Sequence, residues 1–206
     1  TTLFRSGPGG QVVPALCLTL PFILLSGYAG QVADRFSKRT VMLGVKLVEV
    51  PIATLAFVGF MTQSLWLSLA ALLLLAVQSS FFGPAKNGVI PELVEPQHLT
   101  MANGLLNMFT NLAVIIGSLA AGPLSDLFDP KRLPDTLVTE SIRWAPGATL
   151  VAVAILGVVA VLPMPRLTAA EPQLRYDLNP FATYIESLKE MAGGPLLAVT
   201  LSWSAF

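Results

Sequence analysis

Two charged side chains, Lys46 and Glu49, interrupt an otherwise uncharged apolar run over residues 41–60. Each charge costs about 2.5–3.5 kcal/mol at the centre of a membrane helix, so both side chains are expected to face protein or water rather than lipid. Their i, i+3 spacing lets them pair on one face of a helix. Two roles stay open on this pattern: Glu49 lines a polar cavity, or the two residues form a structural ion pair between helices.

Polar side chains also recur at Asn103, Asn107 and Asn111, four residues apart. On a helix with about 3.6 residues per turn they drift by only about 40° per step, so they form one stripe with Thr110 beside its far end. The stripe either lines a transport path or hydrogen-bonds a neighbouring helix. Lys86, the only cation of the loop before this stripe, either meets a lipid phosphate or anchors the loop at the membrane surface.

The sequence lacks the usual catalytic and metal-binding patterns. His98 is the only histidine, and the residue five positions later is Asn103, whereas the commonest acyltransferase signature has an Asp there to orient the imidazole. One histidine and one cysteine, Cys17, exclude the usual zinc spacings. No phosphate-binding glycine loop of the type G-x-x-x-x-G-K-[S/T] occurs. We therefore predict that this segment catalyses no reaction and needs no cofactor and no metal.

The composition indicates that membrane helices position these residues. Of 206 residues, 54% are hydrophobic and 12% are charged, against about 25% charged residues in soluble domains. The mean hydropathy is +0.71. Twelve basic and twelve acidic residues leave no net charge, which argues against a nucleic-acid partner. We expect an all-α bundle in a lipid bilayer, with spans at about 12–29, 41–60, 65–82, 99–125 and 145–163.

The distribution of basic residues predicts the orientation of this bundle, because cytoplasmic loops carry an excess of Lys and Arg. Loops 30–40, 84–98 and 164–190 hold seven basic residues and the opposite loops hold four, so the first three are predicted to be cytoplasmic. Within the third loop, residues 179–191 start with Asn179 and Pro180, a typical helix start, and place Phe181, Ile185 and Leu188 on one face. We expect an amphipathic helix along the membrane interface there.

The segment GQVADRFSKR, residues 30–39, joins the first two predicted spans. Gly30 would allow a close turn, and Lys38 and Arg39 would anchor that turn at the membrane surface. The pattern G-x-x-x-D-R-x-x-K-R resembles the signature loop of the major facilitator superfamily, and the matching positions are Gly30, Asp34, Arg35, Lys38 and Arg39. The resemblance implies that this loop braces a cytoplasmic gate between two helical halves.

The same resemblance implies a twelve-helix, alternating-access transporter, of which we expect this chain to be a fragment. Residues 1–163 would form most of the N-terminal half, from helix 2 to helix 6. Residues 164–190 would form the central cytoplasmic loop with its amphipathic helix, and residues 191–206 the start of helix 7. In this fold Asp34 and Arg35 would steady the closed gate, while Glu49, Lys46 and the asparagine stripe would line the path.

A second stretch narrows the resemblance. The run FGPAKNGVIPEL over residues 82–93, followed by ANGL over residues 102–105, is similar to a pattern of bacterial lysophospholipid transporters. It implies a multi-pass protein of the bacterial inner membrane that flips lysophospholipids, with Lys86 as a candidate headgroup contact. Such transporters are often fused to, or paired with, a lysophospholipid acyltransferase. The cargo would be a lysophospholipid or another amphipathic small molecule. The alternatives are a major facilitator exporter of drugs or small metabolites, and the membrane portion of a bifunctional transporter–acyltransferase.

Overall fold

The computed structural model describes residues 12–128, 144–168 and 189. This part of the chain is helical and contains no strand, which confirms the predicted all-α class. Its elements are α1 (Val12–Arg35), α2 (Lys38–Met61), α3 (Leu65–Gly88), α4 (Ile90–Leu93), a 3-10 helix (Pro96–His98), α5 (Leu99–Phe128) and α6 (Ala145–Val161).

Apolar helices occur at all five positions where the sequence predicts a span. Four stretches are long and apolar enough to cross a membrane, and they are Val12–Arg35, Lys38–Met61, Leu65–Leu93 and Pro96–Leu124. The fifth helix, α6, has 17 residues. At about 1.5 Å per residue it reaches about 25 Å, near the lower limit for a hydrocarbon core about 30 Å thick. Apart from Lys189, the amphipathic helix and final span predicted over 179–206 lie outside the described residues.

The first connection is shorter than predicted, because α1 continues through Gly30 to Arg35. Gly30 therefore lies inside a helix, and the prediction that it forms a turn is wrong. Its φ is negative, as for every glycine of the described ranges. The chain reverses at Phe36 and Ser37 alone before α2 begins. Helical residues in a membrane satisfy their backbone hydrogen bonds within the helix, so a lone glycine there does not end it.

The end of α3 also differs from the prediction. The helix continues past Phe82 and through Pro84 to Gly88, where the sequence indicated a loop. Membrane helices tolerate an internal proline, because neighbouring groups satisfy the carbonyl that the proline leaves free. After Gly88 the chain forms α4, which has Pro91 in its first turn, and then the 3-10 helix. Most of the predicted loop 84–98 is thus helical.

Small residues form the contacts between the helices. Both α1 and α2 pack on α3, and α2 also packs on α6. The buried hydrophobic residues include eight alanines, which are Ala29, Ala33, Ala53, Ala56, Ala71, Ala76, Ala85 and Ala154. Small side chains let helix backbones approach closely, which is how helices associate where no hydrophobic effect drives them together. Where four helices meet, Val41, Met42 and Val161 join Ala33 and Ala85 in one cluster.

The α1–α2 connection, α4 and the end of α6, from which the three loops assigned to one side by the sequence begin or are built, lie together in the described structure. Lys38, at the start of α2, forms an ion pair with Glu92 of α4. The neighbouring Arg39 donates a hydrogen bond of 3.1 Å to the carbonyl of Leu162, at the end of α6. We call this side, defined by the α1–α2 connection, α4 and the end of α6, the junction end.

Helix α5 differs from the other long helices in its packing. It contacts α4, the 3-10 helix and α6, and every residue from 107 to 123 is exposed. Among them are large apolar side chains such as Phe109, Ile115 and Leu119, the last of which is 72% exposed. The described helices therefore leave this surface of α5 uncovered.

Candidate functional site

The first polar cluster lies at the junction end and is centred on Lys38. This lysine occupies the first position of α2, and its side chain is only 7% exposed. The sequence predicted a surface anchor, but the lysine is buried because its ammonium group forms an ion pair with the Glu92 carboxylate. A buried ammonium group requires such a partner, since isolated burial of a charge costs several kcal/mol.

The last residue of α3 makes room for this lysine. A Cβ atom added at Gly88 would lie 2.7 Å from Cε of Lys38. Any larger residue at position 88 would displace the lysine stem that reaches towards Glu92. Gly88 thus has a packing role at the junction end, and its backbone is ordinary for a helix C-terminus.

The rest of the predicted gating motif surrounds this pair. Asp34 is exposed in the last turn of α1, and Arg35, at its end, is half-buried. Arg39 is half-buried against the end of α6, where it meets the Leu162 carbonyl. A cation there complements the partial negative charge of a helix C-terminus. The structure therefore gathers the motif at one end of the bundle, although Gly30 lies inside α1.

The second polar cluster lies further along α2, away from the junction end. Lys46 is eight positions after Lys38, which corresponds to about 12 Å along a helix. Its ammonium nitrogen lies 2.6 Å from Oε2 of Glu49. The side chains of Lys46 and Glu49 are 19% and 16% exposed. The ion pair that their spacing allowed is thus present within the membrane-spanning part of α2.

Three residues of neighbouring helices, Gln78, Phe82 and Gly157, lie against this part of α2. The side-chain amide of Gln78, on α3, donates to Oε2 of Glu49 at 3.2 Å and to the Val45 carbonyl at 3.3 Å. The ammonium nitrogen of Lys46 lies 4.7 Å from the centroid of the Phe82 ring, within the range of a cation–π interaction. On α6, a Cβ atom added at Gly157 would lie 3.1 Å from Cδ of Lys46.

The asparagine stripe lies on the uncovered surface of α5. Asn103, Asn107 and Asn111 are all exposed. Thr110 connects their surface to α3, because its hydroxyl accepts a hydrogen bond of 3.2 Å from the ammonium group of Lys86. Thr110 lies three residues after Asn107, so the two side chains are neighbours on the helix. The structure therefore brings Lys86 to the stripe, while Lys46 and Glu49 belong to a separate cluster.

The residues considered for catalysis do not form a cluster. His98 ends the 3-10 helix and is exposed, and Asn103 is exposed one turn into α5. Cys17 is a free, half-buried thiol in α1. Within the described ranges, no group of three or more His, Cys, Asp or Glu side chains is arranged to hold a metal ion.

Comparison with known proteins decides the family. The sequence model of the Major Facilitator Superfamily matches residues 12–206. The chain belongs to this superfamily. It is a family of transporters, in agreement with the prediction that this segment is not an enzyme. The predicted gating motif and the apolar helices therefore belong to a multi-pass membrane protein of the major facilitator type.

The similar proteins include several named "Lysophospholipid transporter LplT". The one from Cronobacter sakazakii is 32% identical over 179 residues, covering 82% of this chain and 38% of its own length. The one from Serratia proteamaculans is 30% identical and covers 81% of this chain and 37% of its own length. The one from Photorhabdus laumondii is 28% identical and covers 95% and 46%. This chain thus spans less than half the length of these relatives. No solved structure is significantly similar to it.

Sequence reasoning missed the two polar residues that complete the clusters, Gln78 and Glu92. Gln78 is the only strongly polar residue between Ser68 and Ser79 in an apolar run of α3, and an amide in such a run indicates a hydrogen-bond partner on another helix. Glu92 belongs to the run over 82–93 that carried the resemblance. Its partner Lys38 is 54 positions away, so no local pattern indicated the pair.

Proposed function

We propose that this chain is part of an alternating-access transporter that flips lysophospholipids across the bacterial inner membrane. The observation that carries the proposal is the similarity to the two LplT proteins from Cronobacter and Serratia, which extends over about four fifths of the chain. Moving a lysophospholipid across a bilayer poses a specific physical problem. Its charged headgroup is poorly solvated in the hydrocarbon core that it must cross, whereas its single acyl chain is well solvated there.

The proposed headgroup contact is Lys86 together with the stripe on α5. Lys86 already lies within hydrogen-bond distance of Thr110 on that helix, and both side chains carry groups that bind phosphate oxygens. A phosphate that took the place of the Thr110 hydroxyl would meet the ammonium group from α3 and the amides of Asn107 and Asn111 from α5. In this proposal Asn103, nearer the junction end, continues the polar path.

The proposed gate is the junction end, which we take to be the cytoplasmic side. The Lys38–Glu92 ion pair holds the start of α2 to α4, and α4 leads through the 3-10 helix into α5. In this proposal the pair fixes two connections of this half at the end where the gate between the two halves closes, and it separates when those connections rearrange. Gly30, Asp34 and Arg35 lie on the neighbouring turns of α1 and would steady the closed state, as the resemblance implies.

The proposed cargo also suggests a partner. A lysophospholipid lacks one acyl chain, so an acyltransferase on the cytoplasmic side, fused or separate, would convert it to a phospholipid. The remainder of the fold, including the assignment of α1–α3, α5 and α6 to helices 2–6 of a twelve-helix transporter, is part of the same proposal.

Uptake of labelled lysophosphatidylethanolamine tests the proposal. We would express the full-length protein in spheroplasts of a strain that lacks its own lysophospholipid uptake. We expect uptake by the unaltered protein, strongly reduced uptake by Lys86→Met, and loss of uptake by Asp34→Asn. The matched control is Lys189→Met, since Lys189 is an exposed lysine outside both clusters.

The outcomes separate cargo from mechanism. Without uptake by the unaltered protein, when immunoblotting shows it in the membrane, the cargo proposal fails and drugs or metabolites become the candidates. Uptake that survives Lys86→Met would remove Lys86 from the headgroup site. Equal loss in Lys86→Met and Lys189→Met would point to a nonspecific effect of removing positive charge.

A further inference from the structure

The cluster around Lys46 is not used in the proposed path, and its geometry suggests a separate role. Its members come from three helices: Lys46 and Glu49 from α2, Gln78 and Phe82 from α3, and Gly157 from α6. The two charges neutralise each other, and each also contacts a second helix. A site that receives a charged cargo would be expected to leave part of its charge unpartnered.

Gln78 has the central position in this arrangement. The residue is 7% exposed, and its amide group donates both to the Glu49 carboxylate and to a backbone carbonyl of α2. The second acceptor, the oxygen of Val45, belongs to the turn of α2 between the junction end and Glu49. Gln78 therefore attaches α3 to α2 at two points of the same helical turn.

Lys46 makes the corresponding connection to α6. Its alkyl stem passes over Gly157, where the missing side chain leaves the space, while its ammonium group lies between Glu49 and the Phe82 ring. The bundle also packs α2 directly on both α3 and α6. The polar contacts thus coincide with two of the three extensive helix contacts of the described structure.

We propose that Lys46, Glu49 and Gln78 form a polar brace that holds α2, α3 and α6 together as one rigid unit, with Gln78 as the residue that positions α3. The second part of this inference, that the three helices stay together while the junction end opens, rests on the proposed transport function. Of the two roles left open by the sequence, the brace corresponds to the structural one, with a correction: the ion pair lies within α2 rather than between helices, and Gln78 supplies the hydrogen bond to another helix. Neither Glu49 nor Lys46 then contacts the cargo.

The chemistry of an amide gives the brace a distinctive property. A glutamine can donate with its nitrogen and accept with its oxygen. In the charge-swapped variant Lys46→Glu/Glu49→Lys, the nitrogen of Gln78 could keep its bond to the Val45 carbonyl while its oxygen accepts from the new lysine. A brace should therefore tolerate the swap much better than the loss of Gln78, whereas a site that recognises a cargo charge at a fixed position should not.

Thermal unfolding of the full-length protein in detergent tests the brace without any assay of transport. We expect Gln78→Met, which keeps the length of the side chain, to lower the unfolding midpoint by at least about 3 °C. The control is Ser80→Ala, because Ser80 is a buried polar residue of the same helix, and within the described residues its hydroxyl donates to its own helix, at the Ala76 carbonyl. We expect the charge-swapped variant to melt closer to the unaltered protein than Gln78→Met does.

Transport kinetics test the positioning role. A brace predicts that Gln78→Met lowers the maximal rate of lysophosphatidylethanolamine uptake severalfold and leaves the half-saturating concentration unchanged, because the residue does not touch the cargo. If Gln78→Met does not accumulate, Gln78→Asn, which keeps the amide but shortens its reach, replaces it in both measurements.

Specific results would overturn the inference. A midpoint for Gln78→Met no lower than that of Ser80→Ala would show that the amide does not hold the helices. A charge-swapped variant less stable than Gln78→Met, or a change confined to the half-saturating concentration, would place the cluster in a charge-specific site. The unfolding measurement needs no cargo. It therefore tests the brace even if the protein does not take up lysophospholipid.

Discussion

Helix α2 carries two lysine–glutamate ion pairs whose chemistry is the same and whose settings differ. Lys38 pairs with Glu92, which lies 54 positions away on another helix. Lys46 pairs with Glu49, three positions away on the same helix. A pair within one helix moves with that helix and survives any rigid movement of it. A pair between helices must break when those helices separate. Of the two pairs, only Lys38–Glu92 can therefore break and re-form as the junction end rearranges.

The two pairs share one packing feature. Each lysine stem crosses a glycine on a neighbouring helix, Gly88 of α3 for Lys38 and Gly157 of α6 for Lys46. The glycines bring a long charged side chain close to a backbone that would otherwise exclude it. What differs is the third contact. Gln78 fixes the Lys46–Glu49 pair to α3, whereas the Glu92 side chain is 26% exposed at the edge of the bundle.

The largest effect is expected from Glu49→Leu, which removes one partner of the more enclosed pair. Truncating one member of a buried pair costs about 3–5 kcal/mol, because the remaining charge is left without compensation. We expect a loss of stability near the lower end of this range, about 3 kcal/mol, since water reaches part of both side chains. Thermal unfolding of the full-length protein in detergent measures it.

The matched comparison for this variant is the double variant Lys46→Met/Glu49→Leu. Replacing both charges with apolar side chains removes the uncompensated lysine, so most of the lost stability should return. A double variant as unstable as Glu49→Leu would mean that the charges are needed for more than their mutual compensation. The assignment of Lys46–Glu49 as a static pair would then be wrong.

A smaller loss of stability but a clear loss of transport is expected from Lys38→Met. The remaining Glu92 carboxylate can take up water at the edge of the bundle, so the variant should lose only about 1 kcal/mol. If the pair closes the junction end, uptake should fall by much more than this small loss of stability can explain. Uptake of labelled lysophosphatidylethanolamine and thermal unfolding, measured on the same preparation, give the two values.

The charge-reversed variant Lys38→Glu/Glu92→Lys controls for the chemistry of this pair. It retains an ion pair between the same two helices, so we expect it to recover part of the uptake that Lys38→Met loses. If neither the single variant nor the reversed one alters uptake, the pair only packs the junction end, and the contrast between the two lysines disappears.

The contrast also explains how far the sequence could predict this structure. Apolar runs, four of them free of charge and the fifth interrupted by Lys46 and Glu49, predicted all five long helices, because the need to satisfy the backbone in a membrane leaves few other options. The Lys46–Glu49 pair followed from local spacing. The Lys38–Glu92 pair did not, because its members are neighbours only after α3 has returned the chain to the junction end. The turn expected at Gly30 was wrong because glycine permits a turn without requiring one.

The candidate transport path could be predicted only as a pattern. The spacing of Asn103, Asn107 and Asn111 defines one side of a helix, and the structure leaves that side of α5 uncovered. Which surface it faces depends on the packing of α5 against other helices, and helix periodicity carries no information about that. The contact between Lys86 and Thr110 is likewise a product of tertiary structure.

The smallest effect is expected from adding one methyl group at Gly88. This variant directly tests whether a lysine stem needs a glycine on the helix that it crosses. In Gly88→Ala the new Cβ would come within 2.7 Å of Cε of Lys38, a flexible side chain that can shift by a few tenths of an ångström. Replacing glycine with alanine in a helix interior gains about 1 kcal/mol, although less at a helix end. We expect these terms nearly to cancel in stability, and uptake to fall modestly as the lysine is pushed away from Glu92.

The control for this variant lies one and a half turns earlier in the same helix. A Cβ atom added at Gly83 would meet no atom within 4 Å, so Gly83→Ala should be slightly more stable than the unaltered protein and keep its uptake. Equal uptake in the two alanine variants would mean that Lys38 adapts to the methyl group without losing Glu92. The space at Gly88 would then be incidental to the pair, and the glycine crossing would be a feature of the Lys46 cluster alone.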